Sequence, residues 1–112
     1  MKSSTGQQGS VTVITLEGNL MGGPDASTLN SSLHTLLEQG KKRVVLDMRG
    51  VQFINSSGLG LLIGGVNAMR SAGGSLKIAG ASEKIRGLIR ITKLEQIFDL
   101  YPTVEEAVAA SQ

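Results

Sequence analysis

The 112-residue sequence contains no cysteine and a single histidine, His34. Without cysteine the chain has no disulfide framework, no thiolate zinc site and no cysteine nucleophile. One histidine cannot form a cluster of histidine metal ligands, and it leaves few schemes of histidine-dependent acid–base catalysis. The missing cysteines are typical of a reducing, cytoplasmic setting, which is where we expect the protein to work.

Aromatic side chains and net charge are scarce as well. The chain has three aromatic residues, Phe53, Phe98 and Tyr101, and a formal net charge of +2. Single-stranded nucleic acids are bound by stacking aromatics and duplexes by strongly positive surfaces, so we expect no nucleic-acid partner. No apolar run reaches the length of a membrane span, roughly 18 residues, and residues 1–10 lack the apolar segment of a signal peptide. We therefore expect no membrane partner.

The remaining composition is that of a globular domain. Hydrophobic residues make up 40% of the chain and charged residues 18%, and these values favour a folded core over disorder. Residues 1–9 are polar, small and glycine-containing, which predicts a flexible N-terminal tail. Residues 10–110 are then expected to form a single domain of ordinary length.

Strand and helix patterns alternate along the chain. β-branched residues open a strand at Val11, and Val44–Met48 is a short apolar run that Gly50 ends. Apolar residues at helical spacing follow each strand, and the last helix begins with the capping box of Thr103 and Glu106. The sequence predicts an α/β fold in the order β-α-β-α-β-α-β-α, with a small mixed sheet of about four or five strands and helices packed on it.

The segment Phe53–Gly60 (FINSSGLG) places two adjacent hydroxyls where a strand ends and a helix begins. Backbone N–H groups at a helix start lack partners inside the helix and carry partial positive charge. A phosphate added there is favoured, and it changes the local charge by about −1.5 to −2 at neutral pH. The alternative is that Ser56 or Ser57 is an ordinary N-cap worth about 1 kcal/mol to the helix. Spacing alone favours the N-cap.

The helix that follows is rich in glycine, at Gly58, Gly60, Gly64 and Gly65. Each glycine costs roughly 0.5–1 kcal/mol relative to alanine in a helix interior, so another interaction must offset the loss. Small residues lie along one line of this helix: Ser57, Gly60, Gly64, Ala68 and Ser71. Such a flat face is either buried by close internal packing or offered to a partner.

Three enzyme motifs do not fit these glycines. The dinucleotide fingerprint needs a third glycine where the chain has Ile63, and an acid about twenty residues on, where it has Leu76–Gly80. A P-loop needs Gly-Lys-Ser or Gly-Lys-Thr, and the sequence has neither. The Gly-x-Ser-x-Gly elbow of serine hydrolases is missing, and His34 lies among leucines on the first predicted helix, where it is a poor candidate for a base.

The sequence resembles a STAS domain of the anti-sigma factor antagonist family. The match rests on Val44–Asp47 as a strand, Val51–Gly60 as the phosphorylation segment, and Gly73–Ile78 as the entry to the next strand. It extends over residues 11–108. The resemblance implies a small sheet with helices on one side. It also implies a regulator of transcription that needs no cofactor and has no catalytic or metal-binding residues.

The resemblance further implies a role for the serine pair. In such proteins the second serine is phosphorylated by a partner kinase, the anti-sigma factor, so Ser57 is the expected site and Ser56 the alternate. The unphosphorylated antagonist binds the anti-sigma factor and frees the sigma factor, whereas the phosphorylated form lets go. A serine phosphatase is a second expected partner, and the family usually has Asp where this chain has Asn55. The expected partner-binding residues are Asn55, Ser56, Ser57, Gly58, Leu59, Gly60, Leu61, Gly64, Gly22 and Gly23.

Two other functions remain open at this point. One is a non-switching STAS scaffold, a subunit of a larger signalling or transport-related assembly. The other is an enzyme built on an isolated charge pair, with Asp47 and Arg49 as one candidate. Asp99 and Lys93 are the second candidate, although such charges at strand ends are usually solvated or paired. A modest basic patch on the third predicted helix is either a solvated face or a surface for an acidic partner; it comprises Lys84, Arg86, Arg90 and Lys93.

Overall fold

Five strands and four helices make up the computed structural model, which describes residues 2–112. In chain order they are β1 (Lys2–Gln8), β2 (Val11–Leu20), α1 (Pro24–Glu38), β3 (Arg43–Ile54), α2 (Ser56–Ser71), β4 (Ser75–Ala79), α3 (Glu83–Ile91), β5 (Asp99–Tyr101) and α4 (Val104–Ser111). The strands form one sheet in the order β1-β2-β3-β4-β5. β1 is antiparallel to β2, and the other neighbours are parallel. The predicted α/β fold with a mixed sheet is confirmed.

The N-terminal segment is a strand and not the tail that its composition predicts. β1 pairs with β2 over its whole length, from Lys2 opposite Glu17 to Gln8 opposite Val11. Gly9, with a φ of 62°, and Ser10 form the two-residue turn of this hairpin, a turn that favours glycine because it requires a left-handed backbone. All of β1 is exposed, so the strand is held by its backbone ladder and not by apolar side chains.

Gly50 lies inside β3 and does not end it. The strand continues to Ile54, and its pairing with β2 shifts register between Thr15 and Glu17. A Cβ at Gly50 would lie 3.0 Å from Glu17 Cγ and 3.1 Å from the carbonyl oxygen of Leu16. The glycine therefore permits close approach of two strands at an irregularity, and β3 extends directly to the start of α2.

Helices cover both faces of the sheet. α1, α2 and α3 pack on one face, where Leu29, Leu62 and Ile85 belong to the larger hydrophobic cluster. α4 packs on the opposite face in a second cluster, made of Val11, Val13, Val45, Ala79, Val104, Ala107 and Val108. The expectation of helices on one side is therefore wrong for α4. α4 lies on the second face because side chains alternate along β2 and β3, which places valines on that face as well, and α4 buries them.

The parallel strands place three loops together at one edge of the sheet. β2, β3 and β4 all end there, and their chains turn back into α1, α2 and α3. In open α/β sheets this edge is where ligands and partners commonly bind. The serine pair lies in the middle one of the three loops, at the β3–α2 junction.

Candidate phosphorylation and partner-binding site

Asn55, and not a serine, caps α2. Its backbone is extended, and its side-chain Oδ1 accepts a hydrogen bond from the Gly58 N–H at 2.8 Å. The Asn55 carbonyl oxygen accepts the first helical hydrogen bond, from the Leu59 N–H at 2.9 Å. The prediction that Ser56 or Ser57 is the N-cap is therefore wrong. Because the side-chain amide of Asn55 caps the helix, neither serine hydroxyl is needed as a cap.

Ser56 and Ser57 occupy the first two positions of α2, and both are exposed. Neither hydroxyl forms a hydrogen bond with the rest of residues 2–112. The first turn of α2 contains no acidic residue, so the partial positive charge of the helix start is not neutralised by its own side chains. An anion attached to either hydroxyl would lie at a favourable end of the helix dipole.

Two glycines let the loop after β2 lie directly against this turn. Gly22 has a φ of 83°, and a Cβ there would be 2.8 Å from the Cβ of Ser57. A Cβ at Gly58 would lie 2.0 Å from the Leu20 carbonyl oxygen, which also accepts a hydrogen bond from the Asn55 N–H at 3.4 Å. Any larger side chain at either position would push the β2–α1 loop away from the serines.

The predicted partner-binding residues fall into two groups. Ser56, Ser57, Gly60, Gly64 and Gly23 are exposed, and Asn55 is half-buried. Gly22, Gly58, Leu59 and Leu61 are buried, with Leu59 and Leu61 only 6% and 8% exposed. These four residues support the surface from beneath and do not belong to it, so the candidate contact surface consists of the exposed group.

The small-residue line of α2 is open to solvent. Its members Ser57, Gly60, Gly64, Ala68 and Ser71 are all exposed. A Cβ at Gly60 or Gly64 would meet nothing within 4 Å, whereas one at Gly65 would lie 3.2 Å from side chains of Leu33 and Leu76. Internal packing therefore explains Gly65 but not Gly60 or Gly64. The sequence left open whether this flat face is buried by internal packing or offered to a partner. In the structure the face is exposed to solvent.

An apolar groove that the sequence did not reveal lies beside Ser56. We call it the α2–α3 groove; it encloses about 490 Å³ between α3 and the junction of β3 with α2. Phe53 is 39% exposed and Ile91 is 79% exposed on its rim, and the Lys84 Nζ lies 5.2 Å from the centre of the Phe53 ring. In the sequence, the groove is indicated only by Ile91, an apolar residue of α3 that does not share the buried helix face of Ile85 and Ile89.

Of the two candidate catalytic charge pairs, the structure forms only the pair of Asp47 and Arg49. Asp47 accepts hydrogen bonds from the Arg49 Nε at 3.0 Å, Nη2 at 2.8 Å and backbone N–H at 3.2 Å. The Arg49 guanidinium holds the pKa of the Asp47 carboxyl below its usual value, against the opposing effect of burial. Asp99 pairs with Lys77 at 3.3 Å and not with Lys93. The Asp47 carboxylate is therefore occupied by Arg49, and the Asp99–Lys93 pair does not form.

Other kinds of site find no support within residues 2–112. His34 is exposed on α1. No group of three or more metal-ligating side chains comes together in this part of the chain. Among the same residues, no helix is both long enough and apolar enough to cross a bilayer.

Comparison with known protein families identifies the family of this chain. The STAS domain model matches residues 2–107. The chain belongs to the STAS domain family. The match includes β1, which the sequence resemblance over residues 11–108 had left out, so the edge strand is part of the STAS unit in this chain.

Individual relatives agree with this STAS assignment. The anti-sigma-B factor antagonist of Bacillus subtilis is 34% identical over 83 residues, which is 74% of this chain and 75% of that protein. An anti-sigma factor antagonist from Mycobacterium paratuberculosis has a similar structure, with a TM-score of 0.83, 22% identity, and coverage of 98% of this chain and 92% of that one. The Bacillus cell fate determinant SpoIIAA in its phosphorylated form gives a TM-score of 0.75 at 20% identity, covering 99% and 100%. At such identities the two structures show a shared fold.

Proposed function

We propose that this STAS domain is an anti-sigma factor antagonist that is switched by phosphorylation of the exposed serine pair. Unphosphorylated, it binds an anti-sigma factor kinase in the cytoplasm and thereby frees a sigma factor; phosphorylated, it is released. It acts by binding and not by catalysis. The observation that carries the proposal is the exposure of Ser56 and Ser57, whose hydroxyls are free because Asn55 caps α2.

The surroundings of the pair explain why a phosphate would act as a switch. The adjoining face of α2 is flat and lacks side chains at Gly60 and Gly64, so a partner backbone can approach closely. A phosphate adds about −1.5 to −2 charges at neutral pH, and burying them without a matching cation is strongly unfavourable. The same group is tolerated in the free protein, because the start of α2 favours an anion. Phosphorylation therefore penalises the complex more than the free chain.

The two serines have different neighbours. Ser57 lies against Gly22 of the β2–α1 loop, whereas Ser56 lies on the wall of the α2–α3 groove. We keep Ser57 as the expected acceptor and Ser56 as the alternate. Intact-mass measurement of Ser56→Ala and Ser57→Ala, after incubation with candidate kinases from the same genome and ATP, identifies the acceptor as the variant that remains unmodified.

Binding of the same kinases tests the switch itself. We expect Ser57→Asp to lose binding and Ser57→Ala to bind constitutively in the presence of ATP, because only the former places negative charge in the contact. Ser31→Asp, an exposed serine on α1, is the matched control and should bind like the wild type. Equal retention of the Asp and Ala variants, at both serine positions, would contradict the switch and favour a non-switching STAS scaffold.

A further inference from the structure

The α2–α3 groove has no role in the switch described so far. Its volume of about 490 Å³ lies in the range of roughly 300–1,000 Å³ in which proteins hold ligands. Two of the three large hydrophobic residues that residues 2–112 expose, Phe53 and Ile91, lie on its rim. Exposed apolar residues grouped in a concavity mark a binding surface, unlike single ones scattered over a protein.

The charges along the groove show what kind of partner fits it. Glu83 is the acidic residue on the groove wall, and it is already paired with Arg86. Lys84 has no acidic partner among residues 2–112, and its ammonium group lies over the Phe53 ring. Two further basic residues, Arg90 and Lys93, are exposed on α3 and just after it but do not line the groove. An apolar groove with an unpaired cation on its rim is complementary to an apolar segment that carries a negative charge.

We infer that the α2–α3 groove receives an apolar segment of the anti-sigma factor, and that Lys84 pairs with an acidic residue of that segment. The inference rests on the proposed function, and the groove is continuous with the candidate contact surface because Ser56 is part of its wall. Phe53 and Ile91 then supply apolar contact area at the centre of the interface, where most binding energy concentrates.

The same arrangement adds a second effect where the alternate acceptor, Ser56, carries the phosphate. A phosphate on Ser56 would lie on the wall of the groove that also contains Lys84. It would offer Lys84 an anion within the same chain, in competition with the carboxylate of the partner. It would also place a strongly hydrated group beside the apolar walls. Phosphorylation at this position therefore closes the groove to the partner's segment.

Isothermal titration calorimetry of the full chain with the purified anti-sigma factor kinase of the same genome tests this inference. Ile91→Ser removes an exposed apolar contact and Lys84→Glu reverses the unpaired charge. We expect each to weaken binding at least about tenfold, the size of effect found for central interface residues. Ala109→Ser on α4 and Lys42→Glu before β3 are exposed controls and should bind within about twofold of the wild type, as rim or distant residues do.

Four outcomes test this inference and separate it from the function on which it rests. Tenfold losses for Ile91→Ser and Lys84→Glu, with unchanged controls and unchanged thermal unfolding, support the groove as the docking site. Wild-type affinity in both variants overturns the groove inference and leaves the phosphorylation switch standing. No binding by the wild-type chain overturns the proposed function, and the groove inference fails with it. Native mass spectrometry of the purified chain gives the fourth outcome. A small apolar molecule retained in the groove would contradict the inference that the groove receives a protein segment.

Discussion

Asn55 determines how the serine pair is presented. Its Oδ1 accepts a hydrogen bond from the Gly58 N–H at 2.8 Å, and with this cap in place Ser56 and Ser57 are helical residues with free hydroxyls. A serine cap would have turned one hydroxyl toward the backbone. The amide is also neutral, so it does not add negative charge next to a position where we propose that a phosphate is attached.

We expect Asn55→Ala to lower the free energy of unfolding by about 1 kcal/mol, because alanine leaves the Gly58 N–H without its acceptor. Asn55→Asp should keep the stability at or above that of the wild type, since a carboxylate also caps a helix and interacts favourably with its N-terminal dipole. Urea unfolding of the three proteins compares them. Equal loss of stability in both variants would show that the cap hydrogen bond is not what Asn55 contributes.

α2 combines one buried face with one open face. Leu62, Val66 and Met69 anchor it in the core, and this burial offsets the cost of its glycines. The exposed line from Ser57 to Ser71 contributes nothing to the core. Exposed glycines within a helix lower its stability, and the fold gains nothing from them in return; this is consistent with our proposal that the face contacts a partner.

We expect Gly60→Ala and Gly64→Ala each to raise the free energy of unfolding by roughly 0.5–1 kcal/mol, because an added methyl group meets nothing and restricts the unfolded chain. Neither glycine has a positive φ. Gly65→Ala is the matched control and should gain less or lose stability, since its methyl group would lie 3.2 Å from Leu33 and Leu76. Urea unfolding measures all three. A destabilised Gly60→Ala variant would show that the open face has a role within the fold.

At the scale of the whole molecule, β1 completes the sheet. Its residues Lys2–Gln8 cover the backbone edge of β2 from Val11 to Glu17, although its own side chains are exposed. An uncovered edge strand offers unpaired N–H and C=O groups to other chains. β1 therefore replaces the β-branched and apolar edge of β2 with a polar edge strand, and it adds little apolar burial.

We expect removal of residues 2–8 to expose the β2 edge and increase self-association. Size-exclusion chromatography with light scattering over a concentration series would show a larger apparent mass than that of the full chain. The control is Thr5→Ser, which keeps the strand and leaves its exposed face polar. An unchanged apparent mass for the shortened chain would show that the β2 edge is protected by something other than β1.

The sequence alone predicted the features that depend on local patterns. Period-two and helical spacing of apolar residues gave the strands and helices from Val11 to Val108, because burial of one face imposes these periods. The FINSSGLG segment indicated both the family and the serine pair. The line of small residues on α2 was also visible, because positions three and four apart share a helix face.

Tertiary structure decided the features that depend on contacts between distant segments. β1 has no apolar pattern and exists because β2 lies beside it. Spacing suggested a serine cap, but the approach of Leu20 and Gly22 to the β3–α2 junction fixes the turn so that Asn55 caps. The α2–α3 groove joins Phe53 with Ile91, which lie 38 residues apart, and no local period can report a surface formed by two elements that meet only when the sheet is assembled.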